Sequence, residues 1–343
     1  MILSQLMSDT SRKTTVKTLN SLLSGTHPLE RNEGIPYNAT HFENIKINRS
    51  AVERRAVTLS GRRTVKKEWQ AAWLLKAISC IDLTTLSGDD TPSNVERLCS
   101  KARNPLRPDI VKALDIEDLH LTTGAVCVYH NLIPVAAKAL KGSKIPIAAV
   151  STGFPAGQID LDLKLQEIKK SVAAGAKEID IVISRSLVLT NKWEELYNEI
   201  KVCREACGEA HMKTILATGE IPTLTQVAKA SMIAMMAGSD FIKTSTGKES
   251  VNATIPVSLV MVRAIREYEA LTGFKVGYKP AGGISKAKDA IAWLILMKEE
   301  LGDAWLQPEL FRFGASSLLS DIERQLEHYI TGRYSAFYRH PMS

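Results

Sequence analysis

From Trp69 onward the chain alternates between two hydrophobic rhythms. Short, nearly continuous apolar runs occur at Ser79–Thr84, Ala125–Tyr129, Ile147–Ser151, Glu178–Ile183, Lys213–Ala217, Phe241–Lys243, Lys275–Lys279 and Phe311–Phe313. Between them lie longer stretches with apolar residues at helical spacing, among them Leu163–Ala174, Trp193–Ala206, Thr223–Met236, Pro256–Glu269 and Lys286–Glu300. Thr223 and Ser285 mark two of the helix starts. The eight short runs recur about every 33 residues, the length of one βα unit. Strands that are apolar throughout belong in a parallel sheet covered on both faces. Strict βα alternation without a Gly-x-Gly-x-x-Gly turn after the first strand argues against a dinucleotide-binding unit. Eight repeats over this length predict an α/β fold, a (β/α)8 TIM barrel.

The pattern divides the chain into a basic N-terminal extension (1–68), the barrel (69–332) and a C-terminal tail (333–343). Residues 1–34, rich in Ser and Thr, read as a flexible terminus rather than a transit peptide. His41 to Arg63 is expected to form a short helix or an extended arm. The tail loses apolar periodicity and is short enough to fold back over the barrel mouth.

The chain has 343 residues, 45% hydrophobic and 24% charged, as expected of a globular enzyme. Its longest apolar run, Ala290 to Met297, falls far short of the ~18 residues a membrane span needs. No secretory signal is visible near Met1, so cytoplasm is the default expectation. Cys80, Cys99, Cys127, Cys203 and Cys207 lack metal-site spacing and read as free thiols in a reducing compartment.

The net charge of +7 sits entirely in residues 1–67, which hold 12 Lys/Arg against 5 Asp/Glu. The bases of residues 46–67 could attract an anionic partner, a phosphorylated substrate or RNA. No aromatic residue interleaves with them, which weakens a nucleic-acid role. A solvated or interface-covering arm is the plainer reading.

Barrel enzymes carry their chemistry at the C-terminal ends of strands. Lys243 ends one apolar strand and Lys279 the next. Burial disfavours the ammonium form, and a free amine is what attack on a carbonyl requires. Adjacent strands lie ~4.8 Å apart, so the two ammonium groups should repel and lower the pKa of one of them. Asp180, inside the apolar strand Glu178-Ile-Asp-Ile-Val-Ile, needs a buried partner, which the lysine pair would supply across the lumen. It could also move protons during carbon–carbon cleavage. Asp82 occupies a similar place on the first strand and is expected to orient a lysine.

A second constellation follows the last three strands: Thr246-Gly247, Gly282-Gly283, and Gly314 with Ser316 and Ser317. Gly-rich turns that open helices present backbone N–H groups at a positive helix end, which suits a phosphate dianion. The loops after strands seven and eight are this fold's recurrent phosphate site.

These segments resemble the 2-deoxyribose-5-phosphate aldolase family, of the class I Schiff-base type, in its eukaryotic form with an N-terminal extension. The matching stretches are Ile81-Asp-Leu-Thr-Thr-Leu, Glu178-Ile-Asp-Ile-Val, Asp240-Phe-Ile-Lys-Thr-Ser-Thr-Gly-Lys, Lys279-Pro-Ala-Gly-Gly-Ile and Phe313-Gly-Ala-Ser-Ser-Leu-Leu. The resemblance implies that Lys243 forms the imine, that Lys279 keeps it deprotonated and that Asp180 joins a proton relay. It places phosphate on Gly247, Gly282, Gly283, Gly314, Ser316 and Ser317. Lys248 would lie beside the site and Cys127 near the pocket. No metal or cofactor is implied, and the reaction would belong to deoxyribonucleoside catabolism.

Three departures from the family pattern stand out. Ser285 stands where many members carry Arg, leaving Lys286 or Lys288 to compensate as point charges. Ala217 stands where bacterial members place an acid. Tyr334 and Tyr338 are rival candidates for a C-terminal tyrosine that aids proton transfer. Two other functions are weighed: a Schiff-base aldolase for another phosphosugar, and a non-catalytic barrel binding partners through its basic arm. The expected ligand is a small phosphorylated sugar, with no membrane partner; a homo-oligomer is compatible with the sequence.

Overall fold

A computed structural model describes residues 9–23, 31–59 and 61–340. Eight strands alternate with helices along the chain. They are β1 (Ile81–Thr84), β2 (Ala125–Tyr129), β3 (Ile147–Ser151), β4 (Glu178–Val182), β5 (His211–Ile215), β6 (Phe241–Lys243), β7 (Gly277–Lys279) and β8 (Phe313–Ala315). They pair in parallel in the order β7-β6-β5-β4-β3-β2-β1-β8. Single bridges, Tyr278 to Phe311 and Ala281 to Gly314, span β7 and β8 and close the sheet. The predicted (β/α)8 barrel is the fold. Its strands are buried on both faces, by lumen side chains within and helices without, which is why they read as continuous apolar runs.

The helical layer follows from caps and stripes. Thr223 and Thr254 accept the N–H of Gln226 and Val257 and start Leu224–Met236 and Ile255–Thr272. Leu318–Thr331 buries Leu318, Leu319, Ile322, Leu326 and Ile330 on one stripe. Ser285 does not cap its helix. Lys286 takes the cap position without a side-chain bond, and Asp321 accepts the Ala287 N–H at 2.7 Å instead.

Five strands differ from their expected bounds; β4 stops at Val182 rather than Ile183, and β5 runs His211–Ile215 rather than Lys213–Ala217. Ser79 ends the helix Lys67–Ser79 and donates its hydroxyl to the Lys76 carbonyl. Lys275 and Val276 precede β7, and Phe311 makes only the single bridge to Tyr278. A short apolar run does not by itself separate a helix end from a strand start.

The extension and the tail are both corrected by the structure. Asp9–Leu23 is a helix rather than a flexible terminus. Leu19 is buried, and Ser11 and Thr15 bond to Glu68 and Tyr329 at 3.0 and 3.3 Å. Residues 1–8 and 24–30 of that stretch lie outside the described residues. Arg49–Leu59 forms the expected short helix and buries Val52, Ala56 and Leu59. Arg55 and Arg63 pair with Glu300 and Glu299 at 2.9 and 2.7 Å, so part of the arm's charge docks it on the barrel.

The described residues of the tail, up to His340, do not cover the barrel mouth. His340 is buried with its Nε2 2.7 Å from the Ser335 hydroxyl and 2.8 Å from Glu327, which seats the tail on the helix Leu318–Thr331. Residues 341–343 lie outside the described residues. All five cysteines are buried and free. Among the described residues no helix is long and apolar enough to cross a membrane.

Candidate active site

Lys243 and Lys279 are the last residues of neighbouring strands and stand in register as Cα partners. Both side chains turn into the lumen and donate to the same oxygen of Asp180, each at 2.8 Å. Lys279 also donates to Asp82 at 2.5 Å. Asp180 lies on β4 two residues beyond Glu178, so both carboxylates face inward. Lys213, the Cα partner of Asp180 on β5, bonds to Glu178 at 2.5 Å and to Asp180 at 3.1 Å. Arg312, just before β8, completes the cluster through Asp82 at 2.6 Å and Glu178 at 2.8 Å.

The charge balance of this cluster decides its chemistry. Three carboxylates, Asp82, Glu178 and Asp180, face four bases, Lys213, Lys243, Lys279 and Arg312, all buried. A buried unpaired charge is costly, so the cluster is neutral only when one base gives up its proton. Of the four bases, Lys243 is the one whose surroundings favour the neutral form. Burial, with the nearby Lys279 charge, pushes its pKa below the ordinary lysine value against the opposing pull of Asp180. Lys279 is also buried, yet the Asp180 and Asp82 carboxylates together hold it above the ordinary value. Lys213 shifts upward for the same reason, with Asp180, Glu178 and Asp82 outweighing burial. Asp180 is held well below the usual carboxylate range: its burial is overcome by Lys213, Lys243 and Lys279. Lys243 carries two carboxylates fewer than Lys213, and that difference singles it out.

Lys243 is also the member of the cluster that borders the cleft at the C-terminal end of the barrel, a space of about 350 Å³. Thr246, Gly247 and Lys248 form one wall, Gly282, Gly283 and Ser285 the next, and Gly314, Ser316 and Ser317 the third. The loops after β6, β7 and β8 thus meet over one amine. Gly282 has φ +82°, and a Cβ there would meet the Asn252 side chain at 2.5 Å, so no other residue fits this turn without a shift. The helix Leu318–Thr331 starts at Ser317 and aims its N-terminus at the cleft wall.

Cys127 does not border the cleft. It packs with Ala148 and Val150 against Leu86, Tyr129 and Phe154, and burial pushes its thiol pKa up. Lys286 and Lys288 are exposed and do not line the cleft, whereas Ser285 does. Tyr334 stacks on His328 at 4.7 Å, and both Tyr334 (85% exposed) and Tyr338 (82%) lie away from it.

Sequence reasoning missed Lys213, Glu178 and Arg312 as members of the charge cluster. The available signal was parity. Each is a charged residue inside or beside a strand that must be buried on both faces, and such residues have to neutralise one another.

A parallel barrel with a buried lysine, its pKa lowered, at the floor of a cleft rimmed by glycine-rich loops is the architecture of an aldolase barrel. The family model "DeoC/LacD family aldolase" matches residues 76–321, and the chain belongs to this family. The human deoxyribose-phosphate aldolase is 63% identical over 314 residues, covering 91% of this chain and 99% of the relative. The mouse deoxyribose-phosphate aldolase is 62% identical, covering 90% and 98%. Among solved structures, one from Toxoplasma gondii ME49 superposes with a TM-score of 0.66 at 19% identity, covering 77% of this chain and 97% of that one. The tetrameric deoxyribose phosphate aldolase from Aeropyrum pernix gives 0.56 at 20% identity, covering 79% and 97%. At those identities the likeness is one of fold.

Proposed function

We propose that the chain cleaves 2-deoxy-D-ribose 5-phosphate to glyceraldehyde 3-phosphate and acetaldehyde through a Schiff base on Lys243, in deoxyribonucleoside catabolism. The observation that carries this reading is Lys243 at the floor of the cleft, the one base of the buried cluster with a single carboxylate partner and a lowered pKa. The relatives named deoxyribose-phosphate aldolase, similar over nearly their whole length, supply the substrate.

The free amine of Lys243 adds to the aldehyde carbon C1 of the open-chain sugar, and loss of water forms the iminium. The C3 hydroxyl then loses its proton, through Asp180 or a water held by Asp180 and Lys279. The C2–C3 bond breaks, its electron pair flows to the iminium nitrogen, and glyceraldehyde 3-phosphate departs. The remaining enamine takes a proton at C2. Hydrolysis returns the free lysine and releases acetaldehyde. Because the iminium is the electron sink, the residues at hand suffice for this sequence. Phosphate held by the Gly282–Gly283 and Gly314–Ser317 loops orients the sugar over Lys243.

The basic arm enters this scheme as a docked layer on the barrel, and we assign it no nucleic-acid role. The test of substrate is product release. Incubation with 2-deoxyribose 5-phosphate should yield acetaldehyde and glyceraldehyde 3-phosphate in equal amounts, with little turnover of other phosphosugars. Turnover confined to a different phosphosugar would contradict the assignment.

A further inference from the structure

The loop after β6 contains an ionic contact that the reaction does not use. Glu249 turns its carboxylate back onto the loop's own donors. The Thr246 N–H reaches its two oxygens at 3.0 and 3.1 Å, the Thr246 hydroxyl donates at 2.8 Å, and the Gly247 N–H donates at 3.1 Å. Successive backbone amides around a left-handed residue, here Gly247 at φ +88°, form a concave anion site. The added hydroxyl makes it the donor set that a phosphate oxygen would take. On the facing walls, the N–H groups of Gly283, Ser316 and Ser317 donate to no acceptor among the described residues. One wall of the cleft therefore already holds an anion, and the other two stand open.

The carboxylate is free to leave. Glu249 is only half-buried, and the Asn252 side chain holds its backbone carbonyl at 2.9 Å, so the side chain can swing out while the loop stays in place. We propose that Glu249 is a built-in competitor for the substrate's phosphate, an affinity-setting residue that yields Thr246 and Gly247 when a dianion enters the cleft. The proposal rests on the phosphosugar reading of this site. Two anions do not share one set of donors, so binding requires the carboxylate to be displaced. Apparent affinity then falls by the fraction of molecules whose amides are free. Every anion that takes these donors loses affinity by the same factor, whereas an uncharged sugar has no need to displace Glu249 at all. The residue thus sets phosphate affinity and leaves binding of the unphosphorylated sugar untouched.

The test compares Glu249→Ala and Glu249→Gln with the unaltered enzyme on 2-deoxyribose 5-phosphate and on 2-deoxyribose. Glu249→Ala should lower KM for the phosphorylated sugar by on the order of 3–10-fold, with kcat and the kinetics of the unphosphorylated sugar unchanged. Glu249→Gln, which keeps one acceptor but not the charge, should show a smaller fall. A rise in KM for the phosphorylated sugar, or no change in either variant, would overturn the proposal and leave Glu249 as a staple of the loop. Calorimetric titration with inorganic phosphate reads the same competition without turnover. Tighter phosphate binding in Glu249→Ala supports the proposal even if the substrate assignment fails, and equal or weaker binding overturns it. Borohydride trapping of acetaldehyde, which carries no phosphate, checks that each variant keeps its folded site.

Discussion

Replacing Lys279 with methionine should shift Lys243 toward its charged form. The Nζ atoms of both lysines lie 2.8 Å from one oxygen of Asp180, so they are no more than about 5.6 Å apart. At an effective dielectric of about 20, two unit charges at that distance repel by about 3 kcal/mol. One pKa unit corresponds to about 1.4 kcal/mol, so removing Lys279 should raise the Lys243 pKa by about two units. The sign follows from the charge lost: without a positive neighbour the ammonium form is favoured. The fraction of free amine near neutral pH then drops by at most about 100-fold, and kcat/KM with it. Neither carboxylate is orphaned, because Asp82 keeps Arg312 at 2.6 Å and Asp180 keeps Lys213 at 3.1 Å.

The assay is the pH profile of kcat/KM for the unaltered enzyme, Lys279→Met and Lys279→Arg. In Lys279→Met the acid limb should move about two units alkaline and activity should recover at high pH, which a collapsed site would not do. Lys279→Arg keeps the charge and should leave the limb close to its original place. A limb that stays put in Lys279→Met, with activity lost evenly at every pH, would refute the electrostatic role assigned to Lys279.

Two further outcomes follow from the same geometry. Arg312→Met should lower unfolding stability by about 3–5 kcal/mol in a denaturant titration, since it strips Asp82 and Glu178 of a shared buried partner. Gly282→Ala forces a side chain into a left-handed turn against Asn252, and should raise KM for the phosphosugar while borohydride trapping of acetaldehyde persists.

How much of this was legible in the sequence differs between elements. The barrel was legible because a doubly covered parallel sheet demands apolar strands at βα spacing, and β2, β3 and β6 have the boundaries expected. The ends of β1, β7 and β8 shifted because apolar runs continue past the hydrogen-bonded ladder, as at Ser79, Val276 and Phe311. Lys243, Lys279 and Asp180 attracted attention as charges on apolar strands, and they meet at one carboxylate oxygen. Lys213 and Arg312 lie lower in the lumen, away from the strand ends where chemistry was sought, so only the completed charge balance exposes them. Hydrophobic rhythm is faint in the arm, where Val52, Ala56 and Leu59 make one short stripe, and silent in the tail. Isolated contacts hold those segments, such as Arg55 to Glu300 and His340 to Glu327, and these pairings join residues distant in the sequence or set in an aperiodic stretch.

The central claim is that Lys243 becomes covalently bound to the sugar. The most direct test incubates the protein with 2-deoxyribose 5-phosphate and borohydride, digests it and maps the peptides by mass spectrometry. The account predicts a reduced adduct on the peptide carrying Lys243, and none in Lys243→Leu. A folded, unmodified protein, or an adduct on Lys279 in place of Lys243, would contradict it.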